Sequence, residues 1–135
     1  MGTNMNVCNR SKVRSILVVE DDPRQVQSLT DAIAQAFPGC EIVVRNTESQ
    51  LYEFVDSGPF DNCAVVVLDV MLPWAKPSPR IPSPPPSVIK EGIFWAGRRC
   101  IRKIRERDPN KPIIVYSARD PSLAGITDEK EISIL

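Results

Sequence analysis

Three short stretches of this chain hold side chains that could do chemistry. Glu20-Asp21-Asp22 is a run of three acids, Asp69 stands alone after an apolar run, and Ser117 follows another. Carboxylates gathered in one place repel each other unless a cation neutralises them, and an all-oxygen set of this kind suits Mg2+. An acidic cluster, a metal and a nearby hydroxyl together make a site fit for handling a phosphoryl group. The chain has no His. That removes the commonest general base near neutral pH and excludes a Ser-His-Asp or Cys-His arrangement within it.

The elements that must position these residues are legible in the hydrophobic pattern. Ser15–Val19 (SILVV) is a continuous, β-branched apolar run, as expected of a strand covered on both faces. Asp22-Pro23 follows as an N-cap and a proline at the first helical position. Val26, Leu29, Ile33 and Phe37 then recur at helical spacing, with Gly39 as a stop. Glu41–Arg45 is a second strand, and Thr47–Ser57 is a helix with Leu51, Phe54 and Val55 on one face, broken by Gly58-Pro59. Cys63–Leu68 (CAVVVL) is a third strand that delivers Asp69. Ile93–Arg107 is a helix with Ile93, Ala96, Ile101 and Ile104 for its buried side. Pro112–Tyr116 (PIIVY) is a fourth strand that delivers Ser117. Strands alternating with helices predict a three-layer, doubly wound parallel sheet of the α/β class. In such a sheet, sites form at the carboxyl ends of strands, where all the candidate residues fall.

Composition bounds the rest. The 135 residues suit one domain, and 17 basic residues balance 17 acidic ones. That balance argues against a nucleic-acid partner held by bulk charge. The arginines of Ile93–Arg107 are read as a solvated basic face. No run reaches the length of a membrane span. The four cysteines lack metal-site spacing, and with no signal-like start they are expected to be reduced thiols of a cytoplasmic protein. Residues 1–12 are expected to be a disordered leader and 13–135 the domain. Trp74–Pro86 (WAKPSPRIPSPPP) carries six of the 13 prolines and cannot be regular helix or sheet. Lys76–Pro82 within it fits a basic PxxP pattern, the alternative being a solvated spacer. Lying directly after Asp69, this loop could also cover the site.

ILVVEDDP (Ile16–Pro23), VVVLDVMLP (Val65–Pro73) and PIIVYSA (Pro112–Ala118), in that order, resemble the receiver domain of two-component response regulators. The resemblance spans about Val13 to Arg119. It implies a flavodoxin-like fold with Asp69 as phosphoacceptor and Ser117 as the switch hydroxyl. Mg2+ would be held by Glu20, Asp21, Asp69 and the backbone carbonyl of Met71, and Asp22 would be a helix cap. It further implies a histidine kinase or phosphotransfer protein as donor and a downstream protein as target. Catalysis would be limited to self-promoted phosphoryl transfer and autodephosphorylation. Met71 stands where related Mg2+-dependent phosphatases need an acid, which argues against that class.

The sequence departs from the receiver pattern in two ways. The Lys-Pro expected at the end of a fifth strand is missing, and Ile132–Leu135 is the only candidate for that strand. The last helix is missing or short. A proline-rich insertion, residues 74–91, separates Pro73 from the matching Gly92. The alternative function is a receiver-shaped interaction module without a working phosphoswitch.

Overall fold

The computed structural model describes residues 14–92, 95–116 and the strand at 132–134. The expected leader, Ile93 and Ser117 lie outside the described residues.

Five strands form one parallel sheet in the order β2-β1-β3-β4-β5: β1 (Ser15–Val19), β2 (Glu41–Arg45), β3 (Cys63–Asp69), β4 (Ile113–Tyr116) and β5 (Ile132–Ile134). The helices are α1 (Pro23–Ala36), α2 (Glu48–Val55), α3 (Pro86–Glu91) and α4 (Ala96–Arg107), and Gly58–Asn62 forms a short 3-10 turn. The expected fifth strand exists, and it pairs Ile132 with Ile113 on the far side of β4.

The period-two alternation of strand side chains sorts the core into two layers. Leu17 and Val19 of β1, Val66 and Leu68 of β3, and Val115 of β4 pack with Leu51, Phe54 and Val55 of α2 and with Cys100 and Ile104 of α4. Ile16, Val18 and Val67 point the other way, where Leu29 and Ile33 of α1 meet Ile42, Val65, Ile114 and Tyr116. Every residue of β1 is buried, as the unbroken apolar run requires. The α1 layer is thinner, since no residue of α1 is fully buried. Phe37 leaves the expected stripe: it is the C-cap of α1 and 37% exposed.

The helix boundaries follow their caps. Asp22 accepts from the Arg24 amide at 2.9 Å, with Pro23 as the first helical residue. Thr47 caps α2 by accepting from the Gln50 amide at 3.2 Å. The two preceding amides of α2, Glu48 and Ser49, donate to the carbonyls of Pro73 and Trp74, each at 2.9 Å. The segment leaving β3 therefore satisfies helix-end donors that would otherwise be orphaned.

Two expectations need correction. The α4 arginines are not simply a solvated face. Arg99 is 2% exposed and grips the fully buried Glu48 through both carboxylate oxygens, at 2.7 and 2.8 Å. It also donates to the Gly92 carbonyl, and Lys103 and Arg107 reach Asp56 and Asp61, each at 2.9 Å. Buried charge is tolerated only when paired, so Arg99 crosses between α4 and α2 inside the core to meet Glu48. Nor are all the cysteines reduced: Cys63 and Cys100 are free and buried, but Cys40 is disulfide-bonded, with its partner outside the described residues. Burial pushes the thiols of Cys63 and Cys100 up, so both are inert packing groups. No described helix is long and apolar enough to cross a membrane.

Candidate phosphoacceptor site

The strand order reverses between β1 and β3, because the chain winds outward from each in opposite directions. Open α/β sheets have their crevice at such a switch point, beyond the carboxyl ends of the strands. Glu20 directly follows β1 and Asp69 ends β3, with Val19 and Leu68 in register beside each other. Parallel pairing thus brings together two acids 49 positions apart in sequence.

Glu20, Asp21 and Asp69 each offer a carboxylate oxygen, and these atoms lie within 4.8 Å of one another. Glu20 is buried, Asp69 half-buried and Asp21 exposed. Glu20 is held from two sides. Its amide donates to the Arg45 carbonyl, and its own carbonyl accepts from Asn46 Nδ2 at 2.9 Å. Its Oε2 accepts from the Asp22 amide at 3.1 Å. Asp69 Oδ1 accepts from the Met71 amide at 3.4 Å, which folds the carboxylate back over the first residues after β3.

The electrostatics are those of crowded anions. Burial raises Glu20 from 4.5 to about 7; the charges of Asp69 and Asp21 add to this and the Asp22 amide opposes it. Burial also raises Asp69, against the lowering effect of the Met71 amide. Each carboxylate thus holds its proton more tightly than a free one would, because burial and the neighbouring anions disfavour its charged form. Among the described residues no ion pair engages Glu20, Asp21 or Asp69. The buried Lys111 is at the wrong end of the sheet: its ammonium donates to the carbonyls of Phe60 and Cys63. Cys63 opens the strand that Asp69 closes, roughly 20 Å away at the rise of a parallel strand.

This donor set fits Mg2+. All the ligand atoms are carboxylate oxygens, and oxygens sharing an octahedral Mg2+ shell lie roughly 3–4 Å apart. A spread of up to 4.8 Å needs only small side-chain adjustments to close on one ion. The cation would supply the compensation that the raised Glu20 and Asp69 lack.

Of the residues named from sequence, Glu20, Asp21 and Asp69 are brought together, and Met71 touches the group through its amide. Asp22 caps α1, as expected. Ser117 lies outside the described residues; it directly follows Tyr116, the register partner of Asp69. Two supports were missed. Asn46 holds the Glu20 backbone, and Gln25 hydrogen-bonds the Tyr116 hydroxyl across from α1. Asn46 stands between a strand and a helix cap, a position that by itself reads as a turn. The insertion is anchored away from the carboxylates, on α2 and α4, and does not form the expected cover by any described hydrogen bond.

No protein-family profile matches the chain, and no curated protein does. Solved structures do. A response regulator receiver protein from Sinorhizobium medicae WSM419 is 22% identical with a TM-score of 0.61, covering 93% of this chain and 82% of that one. The phosphorylated cyanobacterial phytochrome response regulator RcpA is 16% identical with a TM-score of 0.56, over 84% and 74%. A two-component response regulator of the LuxR family from Aurantimonas sp. SI85-9A1 is 20% identical with a TM-score of 0.52, over 81% and 61%. These structural matches show that this chain has the receiver fold of response regulators.

Proposed function

We propose that the chain is a phosphoacceptor receiver of a two-component phosphorelay, phosphorylated on Asp69. The observation that carries this reading is the meeting of Glu20, Asp21 and Asp69 at the switch point, with ligand oxygens within 4.8 Å. Glu20, Asp21, Asp69 and the Met71 carbonyl would hold Mg2+, which when bound neutralises charge on the phosphoryl oxygens.

An Asp69 carboxylate oxygen attacks the phosphorus of a phosphohistidine on the partner kinase or phosphotransfer protein. The N–P bond breaks, the electron pair returns to the imidazole, and an acyl phosphate forms. Half-burial keeps the nucleophile weakly hydrated, and the Met71 amide orients it. Ser117 supplies the hydroxyl that senses the new group and biases a conformational equilibrium read by a downstream protein. Beyond this transfer and the later hydrolysis of its own acyl phosphate, the protein turns over no substrate. Nucleic acid and membrane are not among its direct partners.

The test is incubation with a small phosphodonor and Mg2+, read by intact mass, with Asp69→Asn as control. A Mg2+-dependent phosphoryl adduct absent from the variant is the expected result. One observation favours a second reading, an interaction module without a phosphoswitch: among the described residues no Lys or Arg pairs with the three carboxylates. A folded sample that takes up no phosphoryl group establishes that reading instead.

A further inference from the structure

The proline-rich insertion makes no described hydrogen bond to the three carboxylates, yet it is tied down. Proline fixes its own φ and holds the preceding residue extended. In Ile81-Pro82-Ser83-Pro84-Pro85-Pro86 every residue from Ile81 to Pro85 is a proline, precedes one, or both. The backbone over Ile81–Pro85 is accordingly free of turns, and Pro85 has φ −62° and ψ 158°, polyproline II values. With three residues per turn, Ile81-Pro82 and Pro84-Pro85 form two Xaa-Pro dipeptides one turn apart, roughly 9 Å.

One end of this segment is held against α2, and the other runs straight into α3. Trp74 Nε1 donates to the Pro82 carbonyl at 2.7 Å. Trp74 itself is held by the Ser49 amide at its carbonyl and by Tyr52, edge-on at 5.5 Å between ring centres. At the other end the Pro85 carbonyl accepts from the Val88 amide at 3.0 Å, opening α3. The outward side presents Ile81 at 53% exposure, with Lys76 and Arg80 exposed and without ion pairs among the described residues.

We propose that Arg80–Pro85 is a pre-formed ligand for a partner protein whose groove is lined by aromatic side chains and rimmed by carboxylates. Aromatic slots spaced for a polyproline II turn accept Xaa-Pro dipeptides, and the rim acids pair with Arg80. Proline stiffness and the Trp74 anchor set this conformation in advance, which removes ordering cost from binding. A solvated spacer would require neither an exposed isoleucine at a dipeptide position nor a tryptophan anchor. The inference stands independently of phosphorylation at Asp69.

The probe is a purified SH3 domain with an acidic rim, chosen from a panel for binding a synthetic peptide of residues 76–87, then titrated calorimetrically with the full chain. The full chain is expected to bind at least as tightly as the peptide. Pro82→Ala/Pro85→Ala and, separately, Arg80→Glu should each weaken binding about tenfold, with unchanged circular dichroism. Trp74→Ala should weaken it about threefold by loosening the segment. Three results would overturn the proposal: a peptide that no domain of the panel binds, a full chain that binds tenfold more weakly than the peptide, or tighter binding by Trp74→Ala. Either of the last two would show the recognition ridge masked by its own anchor.

Discussion

Replacing Glu20 by Gln should make the metal-free protein more stable above neutral pH. The change is nearly isosteric: the Gln carbonyl can still accept from the Asp22 amide, and its NH2 can donate to Asp69. What it removes is a buried group whose charged form the fold disfavours. Because the folded-state pKa of Glu20 is raised from 4.5 to about 7, the folded state keeps a proton that the unfolded chain has already released between those values. Wild-type stability therefore falls as pH rises through that window, and the deficit is complete above about 7. At about 1.4 kcal/mol per tenfold change in proton affinity, the full deficit is roughly 3 kcal/mol. Burying the neutral amide and sharing the effect with Asp69 reduce the expected gain to about 1–3 kcal/mol, or roughly 3–10 °C in Tm. The assay is thermal unfolding in EDTA at pH 8 and pH 4.5, with and without Mg2+. The variant should gain at pH 8 only, and Mg2+ should stabilise wild type more than the variant. A Glu20→Gln protein no more stable than wild type at pH 8, or equally advantaged at both pH values, would refute the crowded-anion reasoning.

Other perturbations test other parts of the structure. Arg99→Met strands the fully buried Glu48 carboxylate, with only the Tyr52 hydroxyl left to it, and should cost about 3–5 kcal/mol in urea unfolding. The double variant Glu48→Leu/Arg99→Met should cost clearly less, because no lone charge remains. Trp74→Ala loses a hydrogen bond and an aromatic contact, together about 1–3 kcal/mol, and limited proteolysis should become faster within residues 76–83. Thr47→Ala removes the α2 cap and should cost about 1 kcal/mol, read as a lower denaturation midpoint at unchanged m-value. Phe60→Ala, at a fully buried ring edge-on to Phe54, should cost about 3–5 kcal/mol.

The strands were legible because a parallel sheet covered on both faces needs unbroken apolar runs, and few other structures do. Ser15–Val19 and Glu41–Arg45 match residue for residue, and the candidate acids sit where those runs and Cys63–Asp69 end. A cap announced α1 for a similar reason: Asp22-Pro23 is a local signal with a local cause. Arg99 was misread because helical charge spacing looks the same whether the partner is water or a carboxylate 51 positions away. Asn46 and Gln25 escaped notice because their roles exist only once the strands are paired. The α3 turn was hidden by prolines, which forbid a helix interior and tolerate its first position.

The Gly97 amide donates to the Val70 carbonyl at 2.8 Å, one residue beyond Asp69. The chain thus leaves the site at Val70 and returns to the same point at Gly97, so the whole excursion hangs from a closed stem. Loop-closure entropy grows only about 0.6 kcal/mol with each doubling of length. The part of it between Trp74 and Glu91 can therefore be lengthened, shortened or exchanged at small thermodynamic cost while the carboxylates keep their places. The fold offers a socket beside its acidic cluster, and the proline-rich segment is one plug among many that would fit it.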